Sequence, residues 1–175
     1  AGGDLRARLA RLVRRAPEVM VKVTGRTRDP AHLRAPLSYI SRAGELSATT
    51  RDGLEVQGWP ELRELADGWA AVDLLDPRRR ASSPMSVSLV LSMPRDTDPA
   101  RLKAAALAFA AGTFGGRHDY VLVLHTDAGH PHVHVAVRAR GDGGERLNPR
   151  KADLEAWRQR FAAELRDRGV EAEAT

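Results

Sequence analysis

Apolar positions along the chain recur with two periods, and each switch between them marks the edge of an element. In residues 4–15, Leu5, Leu9, Leu12 and Val13 form one helical stripe among Arg6, Arg8, Arg11, Arg14 and Arg15. This is a basic amphipathic helix, expected to pack on the domain's edge rather than lie along a nucleic acid. Pro17 stops it, and residues 18–24 alternate as a strand with Val19, Val21 and Val23 on one face. Residues 25–28 read as a loop. Asp29-Pro30 then supplies an N-cap and a proline at the first helical position. That helix is expected to reach residue 43, with Leu33, Leu37 and Ile40 inward, Pro36 bending it and Gly44 ending it. Tyr39 falls beside the inward stripe.

Residues 46–49 and 54–57 flank Arg51-Asp52-Gly53, a hairpin signal. Pro60 opens a helix with Leu62, Leu65, Trp69 and Val72 on one stripe, and residues 76–84 read as a mobile basic linker carrying Arg78, Arg79 and Arg80. In residues 85–93 Ser86, Ser88 and Ser92 alternate with apolar neighbours, as in a half-buried strand. A helix follows from Asp98-Pro99 to residue 114, with Leu102, Ala106 and Phe109 inward. Residues 120–125 and 132–138 are strands joined by a loop over 126–131. The last helix starts at Pro149, carries Leu154, Trp157, Phe161 and Leu165, and closes at Gly169. Helices grouped against hairpin-linked strands imply an α+β fold: a mostly antiparallel sheet of about five strands with helices packed on its faces.

The length of 175 residues suits one domain with its own core. The chain has no cysteine, so disulfides and thiolate-zinc sites are excluded. No apolar run approaches about 18 residues and no secretory leader is visible, so a soluble chain without membrane contact, in the bacterial cytoplasm, is expected. A net charge of +5 and a pI near 10.3 favour a polyanionic partner. Arginine dominates the basic set, and its planar fork grips phosphate through paired hydrogen bonds.

Four of the six histidines fall between His125 and His134. Side chains alternate along a strand, so His132 and His134 point the same way, about 7 Å apart at Cα. His125 ends the partner strand and closes the third side. Three converging imidazoles make a metal site with open positions. Asp127 suits the role of holding an imidazole N–H so that the other ring nitrogen faces the ion. His130, in the loop before Pro131, is open to three readings: fourth ligand, proton shuttle or phosphate contact. A metal on a phosphate-seeking surface suggests phosphoryl chemistry, with metal-activated water or a side chain as nucleophile. Of the two tyrosines, Tyr120 shares its face with Leu122 and Leu124 and reads as core. Tyr39 lies on a helix in the polar setting Ser38-Tyr39-Ile40-Ser41-Arg42.

The run His125-x-Asp127-x-x-His130-Pro131-His132-Val133-His134 resembles the third motif of HUH relaxases. These are the mobilisation nucleases of conjugative plasmids, integrative elements and T-DNA transfer, and the likeness is to their MobA/VirD-like (MOB-P type) group. Leu37-Ser38-Tyr39-Ile40-Ser41-Arg42-Ala43-Gly44 is similar to their first motif. The strand Ser88 to Pro94, and Leu147-Asn148-Pro149-Arg150-Lys151 with Trp157 and Phe161, fit the same family. The resemblance covers residues 18–175, behind a basic lead of residues 1–17, and implies a nuclease domain excised from a longer protein.

The resemblance implies an HUH-type palm, Tyr39 as nucleophile, Asp127 as the acidic residue that orients or activates a histidine, and His125, His132 and His134 as ligands of one Mn or Mg ion. It argues against a ligand role for His130. The family's middle motif, a Ser or Thr, matches poorly, with Ser92 and Thr97 the nearest residues. The implied activity is nicking and rejoining of single-stranded DNA at an origin of transfer (oriT), with accessory nicking proteins and type IV coupling proteins as partners. Arg42 and Arg138 are expected to touch DNA near the scissile phosphate. Arg78 to Arg80, Arg146, Arg150 and Lys151 are backbone-contact candidates. Two alternatives remain: a HIT-like nucleotide hydrolase using His130-Pro131-His132-Val133-His134, and a non-catalytic DNA-binding module.

Overall fold

The computed structural model describes residues 2–13, 16–94, 96–127 and 129–174. Arg14 and Arg15, assigned above to the first helix, lie outside them, as do the side chains of residues 11–13. The described elements are α1 (Gly2–Val13), β1 (Met20–Thr27), a 3-10 turn (Pro30–His32), α2 (Arg34–Ser41), β2 (Ala48–Thr50), β3 (Glu55–Val56), α3 (Trp59–Leu74), β4 (Ser86–Ser92), α4 (Pro99–Thr113), β5 (Tyr120–His125), β6 (His132–Arg138) and α5 (Lys151–Asp167). The strands form one antiparallel sheet in the order β1-β4-β6-β5-β2-β3. The α+β class and the helix-covered antiparallel sheet hold. The sheet has six strands rather than about five, because the short Arg51 hairpin joins its edge.

Alternation in the central strands divides the core in two. Leu89, Leu122, Val133, Val135 and Val137 face α4 and α5, where Phe109, Phe114, Trp157 and Phe161 pack edge to face. Tyr120 is buried there, as its spacing implied. Val121, Val123 and Ala136 face Leu33 just before α2, Leu37 and Ile40 of α2, and Leu62, Ala66 and Trp69 of α3. This second layer positions the site, because the histidines share its face of the sheet.

Four expectations need correction. Residues 25–27 are strand, not loop: β1 pairs with β4 along its whole length, with a register shift between Val23 and Gly25. Asp29 does cap a helical start, accepting from the Ala31 N–H at 2.9 Å, but the helix breaks into the 3-10 turn and α2. Pro36 lies in the first turn of α2, where no N–H is needed, so it does not bend the helix. Finally, the described side chains of α1 are not packed against the domain. The side chains of residues 2–10 are exposed, with Leu5 at 58% and Leu9 at 51%, and Arg8 approaches Glu173 at 3.9 Å.

Residues 76–84 are tied down rather than a free linker. The buried Asp76 carboxylate accepts from the Arg78 N–H at 3.0 Å, from Arg140 at 3.2 Å and from Arg146 at 3.1 Å. Arg146 also pairs with the buried Asp73. These partners hold the Asp76 carboxyl below its ordinary pKa, led by the hydrogen bond from the Arg78 N–H. Arg146 is thereby a structural cation and not an exposed DNA contact.

Candidate active site

Cross-strand register builds the site. One row across the sheet reads Met20, Ser92, His132, His125, and the next reads Lys22, Val90, His134, Val123. His125 and His132 are therefore direct partners across the β5–β6 hairpin, with His134 two residues along on the same face. The rings of His125 and His134 lie 4.1 Å apart between centroids, tilted by 31°. His125 is buried, whereas His132 and His134 are half-buried.

His125 Nε2 lies 2.6 Å from the Ile40 carbonyl oxygen. A carbonyl only accepts, so Nε2 carries the proton and Nδ1 keeps its lone pair. This bond joins the hairpin to the last turn of α2, one residue from Tyr39. Tyr39 itself is 73% exposed, and its ring meets the His134 ring edge-on at 6.1 Å between centroids. Burial, with the positive fields of His125, His132 and Arg42, pushes the His134 imidazole down to about 4. His134 is therefore neutral at neutral pH, with a lone pair free.

After Ser41 the chain turns sharply. Arg42 and Ala43 take left-handed φ values of 52° and 55°, and Gly44 one of 88°. A side chain on Gly44 would collide with the backbone of Gly58 and Trp59, so only glycine fits. The turn aims Arg42 at the β5–β6 loop. There its guanidinium makes a two-pronged pair with Asp127, one arm at 2.8 Å. The hydrogen bond from Arg42 holds the Asp127 carboxyl below its ordinary pKa.

The structure thus brings Tyr39, Arg42, His125, Asp127, His132 and His134 to one end of the sheet and leaves others away from it. Asp127 grips Arg42 where an imidazole partner was expected, because the left-handed turn delivers the guanidinium first. Arg42 is correspondingly paired rather than free for phosphate. Arg138 shares the histidine face but lies four residues, about 13 Å, beyond His134. Its guanidinium is spent on the Arg140 carbonyl at 2.9 Å and Asp142 at 3.0 Å. His130 is exposed in the loop, 3.6 Å from Asp96. Arg150 and Lys151 are exposed where α5 begins.

One residue escaped the sequence reading: Lys22 shares a row with His134. Ser92, one of the two residues nearest to the middle motif, is buried directly opposite His132. The even-numbered positions of β1, opposite Val19, Val21 and Val23, carried the signal for Lys22. Among the described residues, no three His, Cys, Asp or Glu side chains gather around one point as a ready ligand set. The donor chemistry still fits a divalent cation: three imidazoles share one face of one hairpin, His134 is held neutral, and His125 keeps Nδ1 available.

An exposed tyrosine and a histidine cluster thus meet at one end of an open antiparallel sheet. The chain belongs to the MobA/VirD2-like relaxase family, whose nuclease-domain model matches residues 39–170. The chain is 28% identical over 177 residues to the T-DNA border endonuclease VirD2 of Rhizobium radiobacter, covering 90% of this chain and 42% of that protein. It is 29% identical over 154 residues to the same-named protein of Agrobacterium fabrum (strain C58 / ATCC 33970), covering 78% of this chain and 34% of the relative. The chain therefore spans less than half the length of these relatives. A solved structure from a study titled "Molecular Basis of Vancomycin Resistance Transfer in Staphylococcus aureus" has the same fold, with a TM-score of 0.55 at 14% identity, covering 91% of this chain and 98% of that one. The HIT-like alternative finds no support in these matches. No helix among the described residues is long and apolar enough to cross a membrane.

Proposed function

We propose that this domain nicks and rejoins single-stranded DNA at an origin of transfer by tyrosine transesterification. The observation that carries the reading is the placement of the exposed Tyr39 ring against His134, at the end of the sheet where His125 and His132 pair. The Tyr39 oxygen attacks the scissile phosphorus in line. Its O–P bond forms as the P–O3′ bond breaks, the phenol proton is lost, and the departing 3′ oxygen gains one. The product is a 5′-phosphotyrosyl adduct and a free 3′-OH. One phosphoester replaces another at little energetic cost, so the step runs backwards to rejoin the ends.

His125, His132 and His134 would hold one divalent ion, Mn²⁺ more tightly than Mg²⁺ by ligand softness. Bound there, the ion would supply positive charge to the non-bridging phosphate oxygens. The chain's own residues prepare the site. His125 anchors the Tyr39 turn through the Ile40 carbonyl, and His134 is neutral and half-buried beside the phenol ring. Lys22, Arg150 and Lys151 offer cations to the DNA backbone, while Asp127 fixes Arg42 at the rim. His130 is left outside the ligand set. Residues 18–175 act as the nuclease unit behind the basic lead, in the bacterial cytoplasm, with accessory nicking and type IV coupling proteins as partners.

The test is a denaturing gel of the protein incubated with a random single-stranded library and Mn²⁺. A covalent protein–DNA band is expected from the natural chain and not from Tyr39→Phe or with excess chelator. Adduct formation by Tyr39→Phe would end the assignment.

A further inference from the structure

Beside Tyr39, between the second half of β1 and α2, lies a cleft of about 370 Å³. That is enough for one nucleoside-sized group. His134 and Ser88 line it, and Tyr39 stands at its rim. Ser88 is two residues along β4 from Val90, the partner of His134, so Ser88 lies about 7 Å along the sheet from the His134 row.

Its walls divide by chemistry. Ala35, Pro36 and Ile40 of α2 give an apolar side. Thr24, Thr27 and Ser88 give hydroxyls that both donate and accept. Among its described lining residues only one is a fixed cation. This is Arg26, whose Nε is bound to Asn148 Oδ1 at 3.0 Å and one terminal nitrogen to the Pro149 carbonyl at 2.9 Å. An apolar wall with a hydroxyl-lined edge suits the flat face and polar rim of a nucleobase, not an anion.

The cleft exists because of Gly25. This residue follows the register shift in β1 and lies opposite Ser88. Its φ is not in the left-handed region, and a Cβ built on it meets nothing within 4 Å. Neither backbone conformation nor close packing requires glycine there. What the missing side chain does is leave room.

We infer that this cleft takes the base of one nucleotide next to the scissile phosphate, and so sets sequence preference at that position. The inference rests on the proposed nicking reaction for its meaning, but the cleft's ligand can be tested without it. The first experiment titrates ¹⁵N-labelled protein with each of the four deoxynucleoside 5′-monophosphates and follows amide shifts. Shifts should concentrate at Thr24 to Thr27, Ala35 to Ile40 and Ser88, with one base binding ahead of the others. In Gly25→Leu, which fills the cleft, affinity should drop tenfold or more; in Ser88→Ala the ranking of the bases should change. Equal binding by Gly25→Leu, or shifts spread over the basic surface and absent from the cleft, would overturn the inference. The second experiment sequences the covalent adducts from the random library. The natural chain should enrich one base at one position flanking the cut, and Gly25→Leu should flatten that enrichment; unchanged enrichment overturns the inference. If the natural chain forms no adduct, the nicking reaction fails, while the nucleotide titration still decides the cleft.

Discussion

His125 donates its Nε2–H to the Ile40 carbonyl across 2.6 Å, and so ties the histidine hairpin to the residue next to Tyr39. The proposed metal role would use the other ring nitrogen, so the two roles sit on one imidazole. The jobs can be separated by substitution. His125→Ala should lose about 1–2 kcal/mol by urea denaturation, since it leaves a carbonyl unpaired at the edge of the core. It should also speed amide exchange in residues 42–46 and abolish the covalent adduct. His125→Gln, whose amide can still donate to Ile40, should recover most of the stability and none of the adduct. Full cleavage by the Gln variant would show that His125 serves only to hold the helix.

The Arg42–Asp127 pair calls for a different expectation. Both side chains are largely exposed, at 41% and 52%, so the pair contributes little to folding. Asp127→Asn should leave the urea midpoint nearly unchanged. It should also free Arg42 for phosphate. Binding to a single-stranded oligonucleotide should then tighten at low salt, and the slope of log affinity against log salt should steepen by about one phosphate contact. An unchanged slope would mean that Arg42 does not reach the DNA even when released.

The chain's spacing made most of this visible before any coordinates. Alternation put His132 and His134 on one face, and the caps at Asp29, Pro99 and Gly44 marked helix ends to within a few residues. What stayed hidden depends on contacts between distant segments. Asp127 lies two residues from His125, so sequence proximity suggested an imidazole partner, but the left-handed turn at Arg42 and Ala43 brings in a guanidinium from residue 42. Arg146 looked like surface charge because nothing local announces the two buried carboxylates, Asp73 and Asp76, some seventy residues away. Arg138 shares the histidine face as its spacing implies, but periodicity does not announce its pairing with Asp142, four residues on.

Acid sensitivity should trace to histidines held neutral. His134 titrates at about 4 in the folded chain, against about 6.5 when unfolded, and burial pushes His118 down as well. In both cases the unfolded chain takes up the proton first. Stability is therefore fully present above pH 6.5 and falls as the pH drops from there toward 4. Denaturant midpoints measured in chelator, at steps from pH 7.5 to 4.5, should show this decline. His134→Gln should flatten part of it and His118→Gln another part. A slope unchanged in both variants would place the acid sensitivity elsewhere.

The buried cluster of Asp73, Asp76, Arg140 and Arg146 offers the sharpest separation of structure from DNA contact. Arg146 reaches both carboxylates and is 19% exposed. Removing it leaves one buried acid without that partner and the other with Arg140 and the Arg78 N–H. Arg146→Ala should cost about 3–5 kcal/mol, the usual penalty for uncovering a buried charge. The triple variant Arg146→Met, Asp73→Leu, Asp76→Asn should regain part of the stability, because both carboxylates go with Arg146 and only the partly exposed Arg140 loses its acid. Its affinity for single-stranded DNA, measured at 100 mM salt, should stay within about twofold of the natural chain, since a cation enclosed by two carboxylates has no phosphate to release. A tenfold loss of affinity in a folded triple variant would return Arg146 to the DNA-binding surface.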